Sequence, residues 1–433
     1  MLLAGNHRFG GVAERDSADQ DCGGKKSGEG HGSISSLFLA HCGKPLNLAR
    51  LGIIHHLFWI IRHRENDVRS YQIAVIGAGI TGLTQALWLQ RQGHQISLFE
   101  RGSERLDHHC SHVGAGMLAP YCELSEAEDE VAHWGAAAFQ LWQAVAPTLA
   151  QPVHMTCEGT LVVAHHRDRA GMQHLAERVN HAGFGAHLQW LQRDALRELE
   201  PELEGRFAEG LYFAPEGEID PRSLLPALVE TLRQNGARLN FMTEVEDLTP
   251  GEITVRGVRH AFDWVLDCRG LAAREQMSDL RGVRGEIITL RTREVHLRRP
   301  IRMMHPRYPL YIVPRPDHRF VVGATSLESD SLRPATVRST LELLSAAYAL
   351  HPAFAEAEVV EMNTQCRPAL PDHLPRIVQH DTLLRINGLY RHGYMLSPLL
   401  AETVAAFIGE QPRPAATAKL WQSTGPAIER GRA

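Results

Sequence analysis

Lysine is nearly missing from this chain. Only four lysines occur among 433 residues, and three of them, Lys25, Lys26 and Lys44, sit within the first 44 positions, with Lys419 the fourth. Elsewhere the positive charge is arginine. Residues 5–36 are also poor in large apolar side chains and rich in Gly, Ser and Asp, a composition that cannot bury enough surface to order itself. Residues 1–69 are therefore predicted to be a disordered extension outside the folded protein, upstream sequence attached by a start site placed too early. No CxxC pair occurs among the seven cysteines (Cys22, Cys42, Cys110, Cys122, Cys157, Cys268, Cys366), which argues for free thiols rather than a zinc ribbon or a disulfide framework. There is no basic excess: the net charge of -5 argues against a general nucleic-acid surface. No apolar run reaches the roughly 18 residues a membrane helix needs; the best approach, 51–61, is short and broken by His55 and His56. A cytoplasmic protein without a membrane span is the expectation.

What is present begins at Tyr71. YQIAVIGAGITG reads as an apolar strand, a glycine turn and a helix predicted over 81–92, followed by a strand at 95–99 that ends on Glu100. This is a βαβ unit in which Gly77, Gly79 and Gly82 fill G-x-G-x-x-G. Gly77 permits the tight turn, Gly79 lets a diphosphate approach the backbone, and Gly82 lets helix pack on strand. Ile80 and Thr81 open the helix, whose N-terminus favours an anion. Glu100 accepts ribose hydroxyls, which disfavours NADP and leaves FAD and NAD open.

The next segment, Cys110–Pro120 (CSHVGAGMLAP), is a small-residue loop leading into an acidic helical stretch at 123–142. Small residues there let backbone pass close to a bulky cofactor; an ordinary glycine-rich connection has the same look.

With that loop in view, the chain resembles the D-amino-acid oxidase superfamily of FAD enzymes, most of all its glycine oxidase branch, which serves thiamine biosynthesis. Four blocks carry the resemblance over about 71–420: VIGAGITG with Glu100 and Arg101, the GAGMLAP loop, YIVPRPDHRFVVGATS at 311–326, and NGLYRHGYMLSP at 387–398. The resemblance implies an α/β protein: a Rossmann-type FAD-binding domain, glutathione-reductase-like, assembled from 70–155, 215–275 and 360–420. A mostly antiparallel β-sheet substrate domain would take 156–214 and 276–359, leaving 421–433 as a tail. The residues fit: strands read at 160–164, 238–241, 264–267 and 383–388, with helices at 220–236 and 398–408. The resemblance further places Cys110, Ser111 and Val245 on the nucleotide. It sets the flavin ring against Ala115, Gly116 and Met117 and against the turn Leu389, Tyr390, Arg391, His392, Gly393, Tyr394 and Met395. A helix N-terminus after that turn would steady an anionic reduced flavin.

Amine oxidation of this kind needs a positioned substrate more than acid–base machinery. An amino-acid carboxylate calls for the bidentate fork of arginine. By resemblance Arg367, in CRPALPD, is the carboxylate clamp, Arg391 a second arginine at the site, and Tyr311 a hydroxyl on the same carboxylate. Ser326 replaces a methionine of the glycine oxidase pattern, implying a wider or more polar pocket, and Arg269 in DCRG faces either solvent or phosphate. His108, His109, His112 and the His165–His166 pair lack zinc-ligand spacing and read as polar loop residues, so no metal is expected; His392 is a group that tunes the flavin or gates oxygen. The predicted reaction takes glycine or a similar small amino acid to its imine, with hydride transfer to flavin and reoxidation by O2 or another electron acceptor. Hydrogen peroxide is the product of the O2 route. A D-amino-acid dehydrogenase, a sarcosine-type oxidase and a non-catalytic FAD-bound accessory protein are the alternatives, and a homo-oligomer stays open.

Overall fold

The computed structural model of the chain describes residues 69–304 and 310–423. The extension expected over 1–69 lies, except for its last residue, outside the described residues. The strand Gln72–Ile76 is apolar on both faces, with Ile73, Ala74 and Val75 fully buried, as a central parallel strand must be. It pairs in parallel with Gln95–Phe99 on one side and Trp264–Asp267 on the other, and its last residue, Ile76, stands opposite both Phe99 and Asp267. Three strands thus end at one edge, the place where open α/β sheets bind ligands. The sheet extends to Arg238–Asn240 on one flank. On the other it takes in the hairpin Leu383–Asn387 and Arg376–His380 and, last, Trp421–Ser423. The segment expected as a tail from 421 therefore begins with a sheet strand, because Trp421 packs against the core beside Phe407.

The helix Ile80–Arg91 is buried from Ile80 through Leu89 apart from Thr81, since Pro221–Gln234 and Gly393–Ile408 both pack on it. Pro221–Gln234 begins where the sequence indicates: the Asp220 carboxylate accepts the Arg222 N–H at 3.2 Å and Pro221 fills the first position. Gly393–Ile408 starts five residues earlier than the sequence suggests, so Pro398 lies inside it. A proline cannot donate to the carbonyl four residues back. That carbonyl, on Tyr394, instead accepts the indole N–H of Trp142 at 2.6 Å, and the helix runs through.

The second large sheet holds nine strands among the described residues and is antiparallel except where Ile301–Met303 meets Thr160–Val163. The strand Arg281–Arg291, second from one edge, pairs along its whole length with Glu358–Ala369, so residues 360–369, expected in the FAD-binding domain, belong to this sheet. The registers Tyr311↔Gly323, Ile287↔Gly323 and Val283↔Arg367 put Tyr311, Gly323, Ile287, Gly285 and Arg367 on one face, by the two-residue period of a strand. A small three-stranded sheet joins Met117–Leu118 to Gly217–Ile219 and Met155–Thr156.

Replacing Trp142 by Phe leaves the Tyr394 carbonyl buried without a donor beside Pro398. The expected loss is about 1–3 kcal/mol of stability, read as a lowered urea midpoint with unchanged slope; an unchanged midpoint would refute the role given to the indole.

Candidate functional site

The strand-edge turn is built by close backbone contacts. Gly77 has φ of +98°, and a Cβ there would lie 2.8 Å from the Cys268 carbonyl oxygen. A Cβ on Gly82 would lie 1.9 Å from the Gly77 oxygen. Glycine is required at both, and the contact aims the first turn of the helix, with N–H groups that have no intrahelical acceptor, across the edge. The Ile80 N–H finds Ser111 Oγ at 2.9 Å. Beside this turn Glu100 is buried, its two oxygens accepting the N–H groups of Ala78 (2.9 Å) and Gly102 (2.8 Å). Burial alone would raise its pKa; the His109 ring and the two N–H groups overcome that and hold it at about 2.

Imidazole nitrogens of His108 and His109 each lie 3.2 Å from a Glu100 oxygen. The three side chains offer ligand atoms within 4.8 Å of one another, a juxtaposition the sequence spacing did not signal. A cation there and a ribose would compete for one carboxylate. His165 and His166 lie elsewhere, at the exposed start of a short turn.

From Gly77, Gly79 and Glu100 a cavity of about 1010 Å³ runs past Val245, Cys110 and Ala115–Met117 to Tyr311 and Arg367. Its volume, the glycine turn among its lining residues and the ionised acid beside that turn fit an adenine dinucleotide whose second ring reaches the nine-stranded sheet. Ile80, Thr81, Arg101, Ser111, Leu389, Tyr390, Arg391, Gly393 and Tyr394 also line it. Gly82, His392 and Met395 do not. Gly82 is spent on packing against Gly77, and the Met395 sulfur packs on Gly135, 2.8 Å from where a Cβ there would lie. His392 faces a smaller cavity of about 270 Å³ with Glu126, Asp372 and His373, where burial lowers its pKa to about 4 and keeps it neutral.

Arg391, expected as a second arginine at the site, lines the cavity but is matched by acids. Its guanidinium lies 2.6 Å from Glu123 and also pairs with Glu126. Arg302, 3% exposed, meets the same Glu123 at 3.0 Å and Ser125 at 2.7 Å. Burial would raise the Glu123 pKa, but Arg391 and Arg302 hold it at about 2. Sequence reasoning missed this cluster, because Arg302 and Arg391 lie far along the chain from Glu123 and Glu126. Arg269, which also lines the cavity, forks onto the fully buried Asp267 with two contacts of 2.9 Å. Arg367 is different. Its guanidinium donates to the Thr325 carbonyl at 3.1 Å and has no carboxylate partner among the described residues. Tyr311 lines the same end of the cavity, and burial raises its pKa, so its hydroxyl stays protonated. Ser326 Oγ lies 3.2 Å from the Tyr390 hydroxyl.

Two buried acids near the cofactor loop set the geometry. Arg315 donates to the Ala115 carbonyl and pairs with Glu218 and Asp220, tying the substrate sheet to the loop 115–117. Glu216 Oε1 accepts the N–H groups of Tyr121 (2.6 Å) and Cys122 (2.9 Å), fixing the turn that carries Glu123.

Burial raises the Glu216 pKa to about 7. Because the folded state binds this proton more tightly than the unfolded one, the carboxyl's contribution is full below its ordinary value of 4.5 and is lost as pH rises through about 7. Glu216→Gln should therefore flatten the decline of Tm between about pH 5 and pH 8; an unaltered slope in thermal melts would exclude Glu216 as its source.

The model of the family described as DAO, FAD dependent oxidoreductase, matches residues 72–407. Among curated proteins, the putative thiamine biosynthesis oxidoreductase ThiO of Rhizobium etli is 44% identical over 344 residues, covering 79% of this chain and 98% of that protein. The glycine oxidase of Geobacillus kaustophilus is 27% identical over 364 residues, covering 78% and 93%. The crystal structure of glycine oxidase from Geobacillus kaustophilus superposes with a TM-score of 0.74 at 24% identity, covering 82% of this chain and 99% of that one. With a glycine turn, a buried ionised acid beside it and a cavity of about 1010 Å³ already in place, the match over 72–407 settles the family: the chain belongs to the DAO family of FAD-dependent oxidoreductases.

Proposed function

We propose that the enzyme oxidises glycine or a similarly small amino acid at its C–N bond, in service of thiamine (thiazole) biosynthesis. One observation carries the reading: at the substrate end of the cavity Arg302 and Arg391 are offset by Glu123 and Glu126, while Arg367 has no acid opposite it among the described residues. An unmatched guanidinium facing a cavity attracts a carboxylate, and its fork fixes two oxygens at once. The similarity to the Rhizobium etli protein and to glycine oxidase supports the substrate and the pathway. The five described cysteines are unpaired, which supports a reducing, cytoplasmic setting.

Arg367 holds the substrate carboxylate and the protonated Tyr311 hydroxyl donates to it, so the adjacent carbon is presented toward the loop 115–117. Arg315 keeps that loop seated by holding the Ala115 carbonyl. FAD, when bound, supplies the two-electron acceptor and the means of passing those electrons to O2. Gly77, Gly79, Thr81 and Glu100 would hold its diphosphate and ribose, and Ala115–Met117 with Leu389–Arg391 its ring. The net change is glycine plus O2 plus water to glyoxylate, ammonia and hydrogen peroxide; without hydrolysis the imine is the product available to a following step.

Anaerobic glycine should bleach the flavin of the purified enzyme, and Arg367→Ala should raise the KM for glycine about 100-fold, the scale of losing charge-assisted hydrogen bonds. Persistent yellow colour with glycine, or an Arg367→Ala enzyme of ordinary KM, removes the proposal. Reduction by D-alanine with no oxygen uptake would point to a dehydrogenase instead.

A further inference from the structure

The interior of the strand Arg281–Arg291 contains a glycine that its own backbone does not ask for. Gly285 lies in a buried, regularly paired stretch opposite Gln365. It is not among the glycines with positive φ, so any L-residue could adopt its conformation. Glycine in a strand interior weakens the strand and marks a place where something approaches closely. The approaching group is a side chain of the site. A Cβ on Gly285 would lie 2.3 Å from Nη2, 2.5 Å from Cζ and 2.7 Å from Nη1 of Arg367. All three distances are far inside van der Waals contact, so the guanidinium rests on the Gly285 backbone. Its neighbours Arg284 and Glu286 are paired with each other at 2.6 Å, and no other atom is closer to the position a Cβ would take. Gly323 stands in a looser version of the same relation to Tyr311, whose ring and hydroxyl would lie 3.1 Å from an added Cβ.

We propose that Gly285 is a positioning residue for substrate binding: its missing side chain is the seat that holds the Arg367 guanidinium in the orientation that receives a carboxylate. The inference rests on the reading of Arg367 as the clamp. The three atoms nearest a methyl group at 285 all belong to the far end of a flexible side chain, so the strand can keep its pairing while the guanidinium gives way. Substrate affinity is lost and the fold is kept.

The experiment compares holoenzyme carrying Gly285→Ala, Arg367→Ala and both. Acetate, a carboxylate without an oxidisable amine, is titrated against the flavin spectrum, and the KM and limiting rate of flavin reduction are measured with glycine. Gly285→Ala should raise the acetate Kd and the glycine KM by at least about tenfold, with the limiting rate within about threefold of the parent. In the Arg367→Ala background the same substitution should have no further effect, because the group it displaces is gone. An acetate Kd and glycine KM like the parent's in Gly285→Ala, or an equal effect of the substitution in both backgrounds, would overturn the proposal. Should Gly285→Ala fail to retain flavin, the double variant, free of the collision, must restore it, and failure to do so also overturns the proposal. If Arg367→Ala itself leaves the acetate Kd and the glycine KM unchanged, the clamp reading falls, and this inference with it. If only Arg367→Ala weakens binding, the clamp stands and the seat does not.

Discussion

A single arginine couples the two halves of the site. Arg315 ends the strand that begins with Leu310 and carries Tyr311, and it reaches out of the substrate sheet to the Ala115 carbonyl, with Glu218 and Asp220 balancing its charge. The distance between the substrate floor and the loop that borders the cofactor cavity is therefore fixed by a charge-assisted hydrogen bond to the backbone rather than by apolar contact alone. Hydride transfer depends steeply on the placement of the reacting carbon, so such a tie matters more to rate than to stability. Glu218 is fully buried; removing Arg315 would take away its guanidinium partner and leave it only His154 and Thr156, which is costly.

Charge balance gives the pocket its chemical selectivity. Glu123 sits between Arg302 and Arg391 and stays ionised, and the turn bearing it is pinned through Tyr121 and Cys122 by Glu216. With those two guanidinium groups matched, Arg367, which has no carboxylate partner among the described residues, is the one we propose meets the substrate carboxylate. Its orientation is a matter of steric room at Gly285, so electrostatics and packing meet in one side chain.

Local signals were readable in the sequence. The glycine turn, Glu100, the loop 115–117 and the helix beginning at 220 depend on neighbours within a few positions, and the first βαβ unit follows from a short apolar run and turn chemistry. The relation of Arg391 to Glu123 was not readable, because a sheet and a long loop connection bring together residues whose spacing carries no pattern. The early start of the last helix was hidden for the same reason: Pro398 argues against helix until Trp142, on a distant element, supplies the missing donor. Sequence also cannot separate a strand glycine that serves a turn from one that serves a side chain on the neighbouring strand, and Gly285 is of the second kind.

A crystal structure of the yellow holoenzyme soaked with a simple carboxylate would examine these arguments together. The account requires the cofactor diphosphate over Gly77–Gly79, its ring beside Ala115–Met117, and the carboxylate held by Arg367 with Tyr311 while Arg391 remains on Glu123 and Glu126. A carboxylate bound instead by Arg391 released from its acids, or a ring lying away from the 115–117 loop, would contradict it.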